Sequence, residues 1–324
     1  MEFSFLVFPY TLEDITRAAV TLDEAGQPIL FGVADSPKFF GDSYVAQQHV
    51  LSQTNHIVAG PFATNPVTRH FSVHAGIHRS LDEIYPGRSF LGLAAGDSAV
   101  HAFGLRPATA EKLYEHATGF QEHAPGIRTL IPAGGLKSMK RAAVACDEVV
   151  VAQGFDVGAA EQLSAAAFKA REEAGITTPL KRSLFVLASV WEDESGPDDE
   201  ERVTFQSMIM SYSRQCMSVT YAGKNVPEEK QERLRELYSQ FSFEQYGDEY
   251  NASLLEKYAD EKDYVMNRFG VAGTPEHILK TAQAACDATG IDHVWLGLLT
   301  PQAPDMLRRC VDRLLPQVPK LSAA

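Results

Sequence analysis

Eight short apolar runs, each followed by a segment of helical character, recur along the 324-residue chain. They are FSFLVFPY, PILFGVAD, HIVAGPFA, RSFLGLAAG, IRTLIPAGG, DEVVVAQG, SLFVLASVW and HVWLGLL. Runs that are apolar almost throughout are typical of parallel strands buried on both faces. The alternation predicts an α/β fold, and a closed TIM-type (β/α)8 barrel is favoured over an open doubly wound sheet.

The alternation is interrupted once, by a long connection between strand 7 and strand 8. It opens with the acidic run EDESGPDDEE and continues with SMIMSYSRQCMSVTY and EEKQERLRELYSQF, which have helical character. We therefore predict one barrel domain over residues 1–324, with a helical insertion at about 192–270 that packs over the barrel mouth. This insertion is predicted to form a lid or a subunit contact.

Composition limits the classes of partner. The formal net charge is −13, whereas nucleic acids and anionic membranes are bound through an excess of lysine and arginine. A small-molecule substrate is therefore predicted. No apolar run approaches the roughly 20 residues of a membrane span, and the first residues lack the basic region of a signal peptide. We predict a cytoplasmic protein that binds neither nucleic acid nor membrane.

Metal sites and covalent catalysis are not predicted. The four cysteines are far apart and show no zinc-ligand spacing. His70, His74 and His78 are spaced by four, but no carboxylate lies at ligand spacing among them, so we interpret them as a partly exposed helix face. The chain has no G-x-S-x-G elbow and no cysteine in a setting that would activate it, so it offers no nucleophile for hydrolysis.

Polar residues and glycines follow several of the predicted strands. In a parallel barrel the active site lies at the carboxyl ends of the strands, so these residues are expected to converge on one rim. The segment PAGGLKS has two glycines just before a helix that starts near Leu136, which suits an anion such as phosphate but equally suits a tight turn. No G-x-G-x-x-G or G-x-x-x-x-G-K motif occurs, which argues against a Rossmann site and a P-loop.

Three segments carry a resemblance to a known family. GPFATNPVTRHFSVHAG, GRSFLGLAAGDSAVHAFGLRPA and GTPEHILKTAQAACDATGIDHVWL resemble the bacterial luciferase-like flavin-dependent oxidoreductases, most closely the methylenetetrahydromethanopterin reductase branch. The resemblance covers most of the chain outside the insertion. It implies a TIM-type barrel that binds FMN, or its deazaflavin analogue coenzyme F420, at the C-terminal mouth. It also implies a homodimer.

The resemblance further assigns the end of the third strand to the cofactor ring. It implies a non-prolyl cis peptide at or near Phe62 and Ala63, in a bulge that supports the central ring. Thr64 and Asn65 would then reach polar edges of the ring or its ribityl chain.

The other strand ends are assigned to the rest of the cofactor. The residues after the fourth strand would lie beside the cofactor side chain, and those after the fifth would hold its phosphate. By this correspondence, the further cofactor-binding residues are Gly96, Asp97, Ser98, Ala133, Gly134 and Gly135. Gln153 and Gly154, which follow the sixth strand, are also predicted to bind the cofactor, from their place at the same rim.

Asp35 and Ser36, after the second strand, are implied to lie near the ring and the substrate. Asp35 and Asn65 are the residues predicted to take part in catalysis. In this family the cofactor carries the redox step while the protein positions it and excludes water, so a single dominant acid or base is not required.

The chain departs from the reductase pattern at SPKFFGDSYV, where a tryptophan-containing segment is expected, and at AAGDS, where more glycine is expected. The leading hypothesis is a two-component monooxygenase. Reduced FMN from a separate flavin reductase would react with O2, and the peroxyflavin would oxygenate a small organic substrate. The alternatives are an F420-dependent reductase or dehydrogenase that transfers a hydride, and a non-catalytic flavin-binding protein.

Overall fold

The computed structural model describes residues 1–245, 249–299 and 301–321. Within these residues the strands are β1 (Glu2–Val7), β2 (Leu30–Val33), β3 (Val58–Pro61), β4 (Phe90–Gly92), β5 (Arg128–Ala133), β6 (Glu148–Val151), β7 (Lys181–Val190), β8 (Gly270–Gly273) and β9 (His293–Leu298).

The α-helices that follow the first six strands are α1 (Leu12–Asp23), α2 (Ser43–Gln53), α3 (Phe71–Ile84), α4 (Asp97–His101), α5 (Ala110–His123), α6 (Leu136–Ala143) and α7 (Val157–Glu173). The remaining α-helices are α8 (Asp199–Met217), α9 (Glu228–Ser239), α10 (Glu249–Lys257), α11 (Ala259–Phe269), α12 (Pro275–Thr289) and α13 (Ala303–Arg309). A π-helical turn, Cys310–Leu314, and a 3-10 turn, Leu315–Gln317, follow α13. None of the described helices combines the length and the apolar character that a membrane span requires.

All strand pairs are parallel, and the strands form a nearly closed barrel in the order β3-β2-β1-β9-β7-β6-β5-β4. Two backbone hydrogen bonds bring β3 against β4: Ala59 N donates to Arg88 O at 3.0 Å, and Thr64 N donates to Gly92 O at 3.0 Å. The predicted TIM-type barrel is therefore confirmed, with each of the eight predicted apolar runs contributing one barrel strand.

The long connection between the seventh and eighth barrel strands contains the helices α8 to α11, then a short strand that was not predicted from the sequence, and then α12. This strand, β8, pairs with the last four residues of β7, 187–190, while β9 pairs with residues 184–188 of β7. The sequence of β8 is GVAG, and two glycines in four residues give no apolar run.

Side-chain caps define where the outer helices begin. The hydroxyl of Thr11 accepts from Asp14 N at 3.0 Å at the start of α1, and the carboxylate of Asp156 accepts from Ala159 N at 2.8 Å at the start of α7. These caps satisfy N–H groups that have no partner within the helix. Inside the barrel, the buried rings of Phe62 and Trp295 stack with centroids 4.2 Å apart.

A buried polar network closes the N-terminal end of the barrel. Glu148, at the start of β6, accepts from Ser183 Oγ at 2.6 Å and from Arg128 Nη2 at 2.6 Å. His293 Nδ1 lies 3.0 Å from Glu148 Oε1, and His293 Nε2 lies 2.7 Å from Ser4 Oγ. Burial by itself would raise the pKa of Glu148, but its contacts with His293, Arg128 and Ser183 hold that pKa well below its usual value. Residues at this end of a TIM barrel serve stability rather than catalysis.

We expect Gly60→Ala to destabilise the protein by about 1–3 kcal/mol, because the added atom overpacks the β3–β4 contact. A Cβ atom at position 60 would lie 2.1 Å from Phe90 O and 2.8 Å from ring atoms of Phe90. Urea unfolding measures the effect. Gly41→Ala is the control, since nothing lies within 4 Å of the position that a Cβ atom would take there. Equal stability of the two variants would show that the barrel closure tolerates the extra atom.

Candidate functional site

A cavity of about 740 Å³ lies at the carboxyl ends of the barrel strands, with α8 as part of its wall. Its volume is in the range of small-molecule and cofactor sites. Most of the predicted site residues line it: Asp35, Ser36, Phe62, Ala63, Gly96, Asp97, Ser98, Ala133, Gly134 and Gly135. The structure therefore brings four of the predicted strand ends together at one site.

The end of β3 has the predicted backbone feature. The peptide bond between Phe62 and Ala63 is cis, at the position expected from the resemblance. Both residues line the cavity.

Thr64 and Asn65 lie outside the cavity lining and are fully buried. Asn65 Oδ1 accepts from Val67 N at 3.0 Å and from Thr68 N at 2.9 Å, so it organises the turn that follows β3. A Cβ atom on Gly96 would lie 2.7 Å from Asn65 Cβ, so Asn65 packs directly behind the glycine. In this structure Asn65 supports the cavity wall and does not form it.

Gln153 and Gly154 also lie outside the lining. Gln153 is fully buried, and its Nε2 donates to Gly134 O at 2.7 Å and to Cys216 O at 3.3 Å. Gly154 has a positive φ of 63°, and a Cβ atom there would lie 1.8 Å from Arg268 O. Both residues therefore hold neighbouring backbone in place rather than contacting the cavity.

Asp35 is held by an ion pair. Its side chain is buried, and Oδ2 accepts from Arg69 Nη1 at 2.6 Å. Arg69 also donates to Asp42 Oδ2 at 2.6 Å through Nη2, so one guanidinium bridges two carboxylates. The second oxygen of Asp35, Oδ1, is buried without a hydrogen-bond partner among the described residues. A buried acceptor without a hydrogen-bond partner costs free energy. Because Asp35 lines the cavity, a hydrogen-bond donor of a bound ligand could satisfy Oδ1.

The strand ends after β2 and β4 are joined across the cavity by hydroxyl groups. Ser36 Oγ and Ser98 Oγ lie 3.0 Å apart. Next to them, Asp97 Oδ2 accepts from Arg214 Nη1 of α8 at 2.9 Å. The Arg214 guanidinium also lies 4.4 Å from the ring centre of Phe243. The insertion is thus attached to the strand-four end of the site.

The glycine segment after β5 forms the start of α6. Gly135 precedes the helix, and the Ser138 hydroxyl contacts both Gly135 N, at 3.3 Å, and Gly135 O, at 2.9 Å. The first N–H groups of a helix have no intrahelical acceptor and carry the positive end of its dipole. This end of the cavity also holds Lys137 and Lys224.

Further lining residues, which were not predicted from the sequence, come from α8 and the segment that follows it. Those on α8 are Met208, Ser211, Tyr212, Gln215 and Cys216, and beyond the helix they are Val219, Thr220, Ala222 and Lys224. The spacing of the α8 set, at three and four residues, is that of one helix face. The spacing of methionine and polar residues within SMIMSYSRQCMSVTY is the sequence feature that could have indicated this helix face.

The interpretation of His74 and His78 as a partly exposed helix face is wrong, because both side chains are fully buried. His74 Nδ1 lies 2.5 Å from Tyr44 OH, and His78 Nδ1 lies 2.5 Å from Ser89 Oγ. Burial, and then the nearby charges of His116, His78 and Arg69, lower the pKa of His74 to about 3. Burial lowers the pKa of His78 to about 3 as well. As neutral imidazoles, these two side chains pack in the interior between α2, α3 and α5.

Within residues 1–245, 249–299 and 301–321, no group of three histidine, cysteine or acidic side chains is arranged to hold a metal ion. Cys146, Cys216, Cys286 and Cys310 are buried free thiols. Burial raises the pKa of Cys216, the one that lines the cavity, to about 12. These thiols therefore lack the thiolate character that a nucleophile needs.

No protein-family model matches the chain, and no curated protein matches it. Several solved structures are similar to it over nearly its whole length. The coenzyme F420-dependent tetrahydromethanopterin reductase of Methanopyrus kandleri is 18% identical with a TM-score of 0.72, covering 98% of this chain and 99% of that one. An F420-dependent secondary alcohol dehydrogenase, in complex with an F420-acetone adduct, is 13% identical with a TM-score of 0.68, covering 96% and 98%.

A monooxygenase is also similar. The oxygenating constituent of 3,6-diketocamphane monooxygenase from Pseudomonas putida, in complex with FMN, is 16% identical with a TM-score of 0.62 and covers 99% of each chain. At these identities the similarity shows a shared fold over nearly the whole chain.

Proposed function

Because the chain has the luciferase-like monooxygenase fold, we propose that it is an oxidoreductase that binds FMN in the 740 Å³ cavity. Reduced FMN would be supplied by a separate flavin reductase, and the substrate oxygenated with O2 would be a small, mainly apolar organic molecule. The observation that carries this proposal is the division of the cavity into a cationic end at the start of α6 and a remainder lined mainly by apolar side chains.

The cationic end fits a single phosphate group. Lys137 and Lys224 are the two cations among the described residues that line the cavity, and both lie at the glycine segment that precedes α6. The N–H groups that follow Ala133, together with the helix dipole, would hold the phosphate oxygens. Gly135 leaves space there, since a Cβ atom would meet only Ser138 Oγ at 3.7 Å and Lys224 Cε at 4.0 Å.

The remaining predicted residues fit the rest of FMN. The hydroxyls of Ser36 and Ser98, which also bond to each other, would interact with the ribityl chain. Phe62 and Ala63 would support the ring system. Asp97 is already neutralised by Arg214, so it would not repel the phosphate as a free carboxylate would.

When bound, reduced flavin supplies the electrons that activate O2. The chain's own contribution would be to position the substrate and to keep water out. Leu6, Phe8, Phe185, Leu187 and Met208 line the cavity and give a water-poor wall on the substrate side. Asp35 would orient a substrate donor through Oδ1, while Asn65 would act indirectly by supporting Gly96.

One observation favours the alternative, an F420-dependent enzyme that transfers a hydride. A second cavity of about 400 Å³ is lined by Met217–Ala222 together with Gln231 and Arg235. Val219, Thr220 and Ala222 line both cavities, so the second one lies beside the cationic end of the first. An anionic tail beyond the phosphate, which F420 has and FMN lacks, would find Arg235 there.

We expect the purified protein to bind reduced FMN at least about tenfold more tightly than F420, a difference of about 1.4 kcal/mol. Fluorescence and absorbance titrations with reduced FMN, oxidised FMN and F420 measure the dissociation constants. Tighter binding of F420 would favour the hydride-transfer alternative. Tight FMN binding without turnover, across a panel of small apolar substrates with a flavin reductase and O2, would favour a non-catalytic flavin-binding protein.

A further inference from the structure

We propose that Lys224, a residue of the insertion, is the specificity-determining residue that makes this cavity select a phosphorylated cofactor over its unphosphorylated form. This inference rests on the proposed function for the identity of the cofactor. The charge and burial of Lys224 are properties of the chain itself.

Lys224 is a buried cation without a carboxylate partner among the described residues. Its side chain is nearly inaccessible, with 5% relative exposure, yet it lines the cavity. Nζ donates to Cys216 O at 2.5 Å, which satisfies one of its three N–H groups. The charged or titratable groups that act on it are the Cys216 thiol and the Arg268 guanidinium, and neither is a carboxylate. Burial lowers the pKa of the Lys224 ammonium accordingly.

A buried cation is costly unless it is paired or hydrogen-bonded. This cation faces the one part of the cavity that already favours an anion. Its Cε lies 4.0 Å from the position of a Cβ on Gly135, the residue that precedes the eight-residue helix α6. An anion bound at the start of α6 would therefore receive the helix N–H groups from one side and the Lys224 ammonium from the other.

A buried hydrogen-bond network fixes the position of the Lys224 backbone relative to the glycine segment before α6. Arg268, at the end of α11, donates to Gln153 Oε1 at 2.8 Å and to Lys224 O at 2.5 Å. Gln153 in turn donates to Gly134 O at 2.7 Å and to Cys216 O at 3.3 Å. Cys216 O is thus shared by Gln153 Nε2 and Lys224 Nζ. The backbone on both sides of the proposed anion position is held by one network, so Lys224 is aligned before any ligand binds.

Arg268 and Gln153 are positioning residues in this scheme. They touch backbone carbonyls of the two segments and do not line the cavity. Their role explains why Gln153, predicted from the sequence to bind cofactor, lies one layer behind the cavity wall.

The test compares the phosphorylated and unphosphorylated forms of one ligand, which differ only in the phosphate. FMN and riboflavin are titrated against the wild-type chain, Lys224→Met and Lys224→Arg. We expect Lys224→Met to weaken binding of the phosphorylated form by about 10- to 100-fold, the loss of one buried charge-assisted contact. Binding of the unphosphorylated form should change less than about threefold. Lys224→Arg should restore most of the preference.

Lys140→Met is the matched control, because Lys140 is an exposed lysine at the other end of α6 and does not line the cavity. It removes the same charge and should leave both affinities unchanged. Circular dichroism and thermal unfolding check that Lys224→Met is folded. If Lys224→Met lowers both affinities equally, or neither, the proposal is overturned while FMN binding by the wild type would still support the proposed function.

A second measurement keeps the two proposals separate. Inorganic phosphate is expected to raise the midpoint of thermal unfolding of the wild-type chain and of Lys140→Met, but not of Lys224→Met. Should the wild type bind neither FMN nor F420 while this pattern holds, the proposed function fails and Lys224 remains an anion-selecting residue. Should phosphate stabilise all three proteins alike, or none of them, the role of Lys224 is disproved.

Discussion

Replacement of Glu148 by alanine is expected to lower the free energy of unfolding by about 3–5 kcal/mol, because it breaks a buried ion pair and leaves its partners unsatisfied. The side chain of Glu148 is fully buried at the N-terminal end of the barrel. Without it, Ser183 Oγ loses its acceptor at 2.6 Å, and His293 Nδ1 loses the carboxylate oxygen that lies 3.0 Å away. Trp295 Nε1, 3.4 Å from the same oxygen, loses it as well.

Urea unfolding at pH 7 of the wild type and the variant measures this change. Glu2→Ala is the matched control, because Glu2 pairs with Lys181 at the same end of the barrel and both side chains are about one-third exposed. A pair this exposed contributes at most about 1 kcal/mol. A loss in Glu148→Ala no greater than that in Glu2→Ala would contradict the view that this network stabilises the barrel. Because the network lies at the opposite end from the cavity, the cofactor affinity of the folded variant should be unchanged.

The barrel strands could be predicted because parallel strands covered on both faces need apolar residues at almost every position. HVWLGLL and SLFVLASVW are of this kind, and they became β9 and β7. The strand β8 could not be predicted, since its pairing with β7 comes from tertiary packing of the insertion and its four residues include two glycines. Neither the spacing nor the number of apolar residues predicts a strand in such a segment.

The site was predicted only in part, for a geometric reason. Position after a strand identifies which residues lie at the rim, but not which of them face inward. Asp35 and Gly134 line the cavity, whereas Asn65 and Gln153 lie behind the wall and hold it in place. The residues from the insertion, Lys224 among them, were out of reach, because they meet the barrel only through the path that α8 takes across the mouth. Sequence spacing could identify the α8 face but not the surface it covers.

Lowering the pH from 7 to 5 is expected to reduce the free energy of unfolding by about 4 kcal/mol through His74 and His78 alone. Burial and neighbouring charges lower the pKa of His74 to about 3, and burial lowers the pKa of His78 to about 3. In the unfolded chain both titrate near 6.5. The unfolded state therefore binds more protons than the folded state between pH 6.5 and about 3. Stability is complete above pH 6.5 and is lost as the pH falls below it, at about 1.4 kcal/mol per unit and per histidine.

Urea unfolding at pH 7, 6 and 5 measures this dependence in the wild type and in the double variant His74→Asn and His78→Asn. Asparagine retains a polar group near Nδ1, the atom that contacts Tyr44 OH or Ser89 Oγ, but it does not titrate. We expect the variant to be less stable at pH 7, owing to lost packing, yet to lose less stability between pH 7 and 5. His56→Asn, at an exposed histidine, is the control and should follow the wild type. A double variant with the same pH dependence as the wild type would show that acid destabilisation arises from carboxylates instead, since carboxylates with lowered pKa values, such as Glu148, also lose stabilising power in acid.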